Sequence, residues 1–162
     1  MVNDGINADR WSQYIREIRR VLVRNGWVQC LEIYLNVQCP SGNYPDDGAL
    51  RQWSSRYMEA MSRLGKDPRV GMRLGALLRA GGFVDVEETS FELPLCEWPT
   101  DAQERQLGAW NKANVDELLY SLALWPMTSR RGLRMPIENF IELVEKARVE
   151  AGNPAFKPYF TV

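Results

Sequence analysis

Six residues in one stretch of the chain, Trp98, Trp110, Asn111, Asn114, Tyr120 and Trp125, have the chemistry of a small-molecule pocket. Aromatic walls with a few amide donors suit an apolar, oxygenated ligand, and they suit a plain core equally well. Trp110 shares helical spacing with Leu107 and Leu118, which favours packing, whereas Trp98 and Trp125 adjoin prolines in predicted loops, which favours a pocket. A second chemistry lies in carboxylates. Glu87, Glu88, Glu92 and Glu97 gather around one predicted strand and its exit, and Glu32 sits on another. A carboxyl in an apolar pocket has a raised pKa and can act as an acid, but glutamates on a solvated strand face cannot. Their spacing favours the solvated face, and Tyr34 and Tyr120 are open to both readings.

Composition removes other chemistries. The chain has 162 residues and no histidine, which excludes Ser-His-Asp and Cys-His catalysis, histidine-ligated metals and imidazole switching. Twenty Lys and Arg stand against 21 Asp and Glu, and a net charge of −1 argues against a nucleic-acid binder held by phosphate contacts. Cys30, Cys39 and Cys96 are odd in number and form no CxxC pair. They read as buried or free thiols of a reducing compartment, with a redox or nucleophilic role as the alternative. No metal set is visible. The opening residues 1–10 are polar and the longest apolar runs are four or five residues, so neither a signal peptide nor a membrane span is expected. A cytoplasmic protein is the expectation.

The elements that must position these groups follow from periodicity. Trp11, Tyr14, Ile15, Ile18, Val21 and Leu22 predict an amphipathic helix, with Asp9 as N-cap and Asn25-Gly26 as its stop. Arg16, Arg19, Arg20 and Arg24 fall mostly off its apolar stripe and read as a solvated face or a binding surface. Residues 27–37 alternate as a strand, and residues 39–48 hold two prolines and two glycines and form a loop. A second helix carries Leu50, Trp53, Tyr57, Met61 and Leu64 up to Gly65, and a third carries Met72 to Leu78 up to Gly81-Gly82. Residues 83–95 predict a second strand, bent near Glu87-Glu88 and kept to an edge by Pro94. Thr100 and Gln103 form a capping box for a fourth helix that breaks near Asn111–Asn114, followed by an irregular basic stretch over 125–136. Pro136 opens a fifth helix with Ile137, Phe140, Ile141 and Val144 inside, and residues 159–162 close the chain as a short strand. Strands alternating with helices argue for an α/β layered sheet. The expected organisation is a single domain over 1–162: helix and edge strand (9–38), helices and second strand (45–95), a cap-like excursion (96–135), last helix and strand (136–162).

Residues 19–32 resemble the helix-Gly-strand passage into the fifth strand of class I S-adenosylmethionine-dependent methyltransferases. Residues 77–86 resemble that family's step from its last sheet helix into the sixth strand, and Leu93-Pro94-Leu95 with Trp98-Pro99 resemble its "lPigpWP". Gly108-Ala109-Trp110-Asn111 is similar to "GrWN", Tyr120-Ser121-Leu122-Ala123-Leu124 to "fSlAl", and residues 155–162 to "aYwPfyvv". In order and spacing the set resembles the C-terminal half of the fungal LaeA-like secondary-metabolism methyltransferases. A histidine common just before the last motif is replaced here by Pro154.

The resemblance implies a truncated Rossmann-like methyltransferase sheet of about three strands with flanking helices and a helical substrate-cap excursion. The family's glycine-rich turn and its ribose-binding acid lie outside the resembled half. Gly71–Gly75 and Gly81-Gly82 do not follow a first strand in a βαβ unit, so no cofactor, no catalytic residue and no cofactor-binding residue is carried over. The excursion would sit near the substrate opening, which makes its six aromatic and amide residues substrate-binding candidates. Residues 28–37 would form an apolar open edge, which predicts a homo-oligomer or a complex with a methyltransferase-like chain. Two functions are therefore expected: a protein of secondary metabolism acting on a small hydrophobic metabolite without its own S-adenosylmethionine site, by cyclisation or rearrangement, or a non-catalytic partner or regulatory subunit of a methyltransferase-like protein. A residual gene fragment without function is the third reading.

Overall fold

The last strand in sequence lies in the middle of the sheet. A computed structural model describes residues 5–162, so the first four residues of the polar opening fall outside the described residues. In chain order the elements are α1 (Trp11–Val21), β1 (Tyr34–Gln38), α2 (Ala49–Arg63), α3 (Leu74–Ala80), β2 (Glu92–Pro94), α4 (Ala102–Ser121), α5 (Leu124–Thr128), α6 (Ile137–Ala151) and β3 (Tyr159–Thr161). The strands stand in the order β1-β3-β2, and β3 runs antiparallel to both neighbours, so β1 and β2 are mutually parallel. Parallel strands need a long connection, which α2 and α3 supply. This mixed α/β layout is what the resemblance implies.

The sheet is short for physical reasons. β3 pairs Tyr159, Phe160 and Thr161 with Pro94, Leu93 and Glu92, and the mutual N–H to carbonyl bonds of Phe91 and Val162 (3.0 Å each) extend that ladder. Toward β1 the register slips: Tyr34 faces Thr161 and Gln38 faces Tyr159, leaving Leu35, Asn36 and Val37 opposite Phe160 alone. The expected strand over 27–37 is therefore only Tyr34–Gln38. Alternation alone cannot hold an extended segment, and β3 is too short to supply bonds farther back. The expected strand over 83–95 shrinks likewise to Glu92–Pro94, because Asp85 turns into left-handed backbone (φ 52°) and residues 83–90 find no strand partner.

Most helices match their periodicity. α2 and α4 pack against α6, while α2 covers β1 and α4 covers β2. The core between them is built from Leu35, Leu50, Trp53, Tyr57, Leu119, Phe140, Val144 and Phe160, among others. Trp53 stacks on Tyr57 at 5.3 Å and donates its indole N–H to the Leu119 carbonyl at 2.8 Å, so its one polar atom is satisfied where it is buried. A second, smaller core joins Trp11, Val70 and Leu74, with Ile6, Tyr14, Cys30 and Leu77 packed around it. The chain thus buries apolar surface in two places.

Several local expectations shift. α1 ends at Val21 rather than at Asn25-Gly26, although Asn25 does adopt left-handed backbone (φ 62°) in the turn beyond. Asp9 lies in a single 3-10 turn (Ala8–Arg10) and caps nothing. The N-cap of α4 is Asp101, not Thr100, and its carboxylate accepts from Gln103 N–H (2.9 Å) and Glu104 N–H (3.0 Å). α4 runs unbroken through Asn111 and Asn114. Part of the expected irregular stretch is helical, as α5, where Pro126 stands in the first turn and so removes no helical hydrogen bond. Ile137 and Ile141 of α6 stay exposed while Phe140 and Val144 are buried.

Candidate functional site

The six aromatic and amide residues divide into two groups. Trp98 is half-buried and donates its indole N–H to the Pro158 carbonyl at 2.9 Å. Asn111 is buried, donates its amide to the Pro94 carbonyl at 2.8 Å and accepts from the Asn114 amide at 3.2 Å. Trp98 ties the exit of β2 to the entry of β3, and Asn111, bonded by Asn114, ties α4 to the end of β2. Gly108 completes the arrangement, because a methyl there would overlap the Cys96 carbonyl. Gly108 and Asn111, one helical turn apart, bring α4 against the strand exit, so the Gly-x-Trp-Asn pattern is read here as a backbone clamp.

The other aromatic residues face outward. Trp110 is 71% exposed and Trp125 is 57% exposed, and Tyr120 lies at the surface with its ring 5.4 Å from that of Phe140. Trp110 does not pack in the core that its spacing suggests. The Asn111 amide is spent on the Pro94 carbonyl and the Asn114 amide on the Asn111 side-chain oxygen, while the two indoles stand exposed.

The carboxylates and thiols are equally plain. Glu87, Glu88, Glu92 and Glu97 are exposed, and Glu88 pairs with Arg79 at 2.8 Å. Glu32 is buried. Burial pushes all three cysteine thiols up, Cys39 to about 11 despite the opposing charge of Arg51, so they hold their protons at neutral pH. No group of three or more Cys, Asp or Glu among the described residues could hold a metal ion. None of the helices among them is long and apolar enough to cross a membrane.

A polar node that spacing gave no hint of joins the two ends of the core. The Tyr44 hydroxyl donates to Glu150 Oε2 at 2.7 Å and accepts from Arg51 N–H at 3.0 Å, and the same carboxylate oxygen accepts from Leu50 N–H at 2.7 Å. Burial first, and the Glu150 bond second, push the Tyr44 phenol above its ordinary value. The start of α2, the helix N-terminus nearest the end of β1, is thus satisfied by a carboxylate from α6.

That matters for the cofactor of the resembled family, which the resemblance does not carry over to this chain. A nucleotide-like group needs free backbone N–H donors at a strand-to-helix turn and a carboxylate for its ribose. Here the α2 terminus is occupied from within. Gly75 is packed by the Glu88 carboxyl, Gly71 by the Glu32 side chain, Gly81 by Ile15 and Gly82 by Arg19. These residues do not form a cradle for S-adenosylmethionine.

One surface groove, of about 620 Å³, runs between the two cores. β1 contributes Tyr34 and Asn36, α2 contributes Ser55 and Met58, and the turn after α2 contributes Lys66 and Arg69. None of the six aromatic and amide residues lines it. No sequence motif marks it, because its residues come from three elements brought together only by the packing of the small core beside the large one.

Comparison with known proteins supplies the lineage. The chain is 28% identical over 159 residues to a secondary metabolism regulator of Hypocrea atroviridis, covering 98% of this chain and 45% of that relative. It is 32% identical over 137 residues to the protein-methionine methyltransferase laeA of Chaetomium globosum, covering 84% and 42% respectively. It is 22% identical over 142 residues to the probable methyltransferase tdiE of Emericella nidulans, covering 87% and 45%. No protein-family model and no solved structure matches it. The chain spans less than half the length of these curated relatives. With motifs, sheet and relatives in agreement, the chain is a homologue of the fungal LaeA secondary-metabolism methyltransferases, corresponding to the C-terminal part of that fold.

Proposed function

We propose that this chain works as the non-catalytic half of a methyltransferase-like assembly of fungal secondary metabolism, completed by a methyltransferase-like partner that docks along β1. One observation carries this reading: β1 is an edge strand with β3 on one side only, and the segments leading to it expose Val21, Val23, Trp27 and Leu31. An unpaired edge beside exposed apolar side chains favours pairing with another chain. The far end of the edge is already blunted, since Val37 N–H donates to Ser54 Oγ at 3.1 Å and the Gln38 amide donates to the Asn36 carbonyl at 3.3 Å. Docking therefore centres on Tyr34, Leu35 and the preceding segment.

The test is light scattering after gel filtration. The chain is run alone and mixed with the portion of the Chaetomium globosum relative that it does not match. A stoichiometric complex, or a dimer of the chain alone, agrees with the proposal; a monomer in both runs overturns it.

A second reading rests on Trp110 of α4 and Trp125 of α5, whose exposed indoles each offer an apolar surface to a small hydrophobic metabolite. Under that reading the chain accelerates a cyclisation or rearrangement by holding a reactive conformer, without a methyl donor. Donor-independent conversion in a metabolite extract, lost in Trp110→Ala and Trp125→Ala, supports it, and unchanged extract removes it.

A further inference from the structure

The groove between the two cores is lined by donors that the fold leaves unused. Tyr34, Asn36, Ser55, Lys66 and Arg69, each with a side-chain donor, all line it. None of these side-chain groups has a hydrogen-bond or ion-pair partner among the described residues. The charges around them are already neutralised: Arg73 pairs with Asp67 at 2.7 Å, and Arg63 pairs with Glu59 at 2.6 Å. Two cations are left over, and the two carboxylates that also line the groove, Glu59 and Asp67, are each ion-paired.

The backbone that carries those cations is fixed. Lys66 N–H donates to the Met61 carbonyl at 2.9 Å, and Lys66 pairs antiparallel with Asn7. Arg69 N–H donates to Asp67 Oδ1 at 3.0 Å, and the adjoining Val70 is buried in the small core. Binding to such a frame orders the Lys66 and Arg69 side chains but not the backbone that carries them. Its volume of about 620 Å³ falls within the range of small-molecule clefts.

We propose that this groove binds a small oxyanion, phosphate or carboxylate, carried on a hydroxylated scaffold. The Arg69 fork and the Lys66 ammonium take the anion, because paired charge-assisted donors favour a planar or tetrahedral oxyanion. The Tyr34, Asn36 and Ser55 groups take the hydroxyls, and Met58 supplies the apolar wall. The groove shares Tyr34 with the proposed docking edge of β1 but takes its charge from Lys66 and Arg69, which that docking does not use, so loss of probe binding in the Lys66 and Arg69 variants is read independently of partner docking.

The test is calorimetric titration of the full chain at low salt with two probes, inorganic pyrophosphate and citrate, which separate the phosphate source from the carboxylate source. Saturable one-site binding of at least one probe is expected. Lys66→Gln with Arg69→Gln weakens it by about tenfold or more, Tyr34→Phe with Ser55→Ala by severalfold, and added salt weakens it throughout. Arg16→Gln with Arg24→Gln, two exposed cations elsewhere, leaves it unchanged. Binding of neither probe, or equal loss in both cation pairs, overturns the proposal. Amide shift mapping on the unmutated chain gives a readout independent of variant folding: shifts confined to residues 34–36, 55–62 and 66–73 support the site, and shifts elsewhere contradict it.

Discussion

Asn111 shows how a residue with the chemistry of a ligand donor is consumed by architecture. Its amide closes the Pro94 carbonyl at the end of β2, a buried acceptor with no alternative partner on that side. Removing the amide leaves that carbonyl desolvated and unpaired, which costs about 1–3 kcal/mol. Asn111→Ala therefore lowers the urea midpoint, and Gly108→Ala lowers it too, because the added methyl has only the Cys96 backbone to push against. An unchanged midpoint in both would remove the clamp reading of this motif. The sequence places these residues on one helix but cannot say whether their amides face a ligand or a backbone; only the distance between α4 and the strand exit decides that.

Titration at the same scale has a definite sign. Cys39 and Tyr44 hold their protons more tightly in the folded chain than their ordinary values of 9.0 and 10.0. The stability Cys39 lends is complete below the unfolded thiol's value of 9.0 and is lost as the pH rises through the folded thiol's value of about 11, while that of Tyr44 begins to fall only above 10.0. The urea midpoint therefore falls as the pH rises from 9.0 to about 11, and falls less in Cys39→Ala. A midpoint that rises over this window contradicts the assignment.

At the scale of elements, helices were far more legible than strands. The stripes Leu50-Trp53-Tyr57-Met61 and Phe140-Val144 recur at helical spacing, and both lie buried. A helix satisfies its own backbone, so local spacing suffices to identify it. A strand needs a neighbour, which local sequence does not contain. Residues 27–33 alternate well and still leave the sheet, because β3 offers three residues and a slipped register. The capping residue was read one position early for a similar reason, since Thr100 and Asp101 are both competent caps and only the geometry of the Trp98-Pro99 approach selects between them. Asp101→Ala is expected to cost about 0.5–2 kcal/mol and Thr100→Ala almost nothing. Chemical denaturation of the two variants checks this, and the reverse order would place the cap at Thr100. The groove was invisible in sequence because its lining is shared among β1, α2 and the turn at 66–69.

At the scale of the whole molecule, the described residues form two cores, an edge strand paired on one side, and an exposed apolar segment leading into it. Its relatives are more than twice as long as the portion matched. The proposed docking of a methyltransferase-like partner rests on that edge and that apolar segment. The most direct measurement is amide hydrogen exchange of the chain alone and mixed with the unmatched portion of the Chaetomium globosum relative. The account predicts fast exchange over residues 22–36 in the isolated chain and strong protection over the same residues in the mixture. Exchange over that segment unchanged by the partner, or protection gained only on α4 and α5, would contradict it.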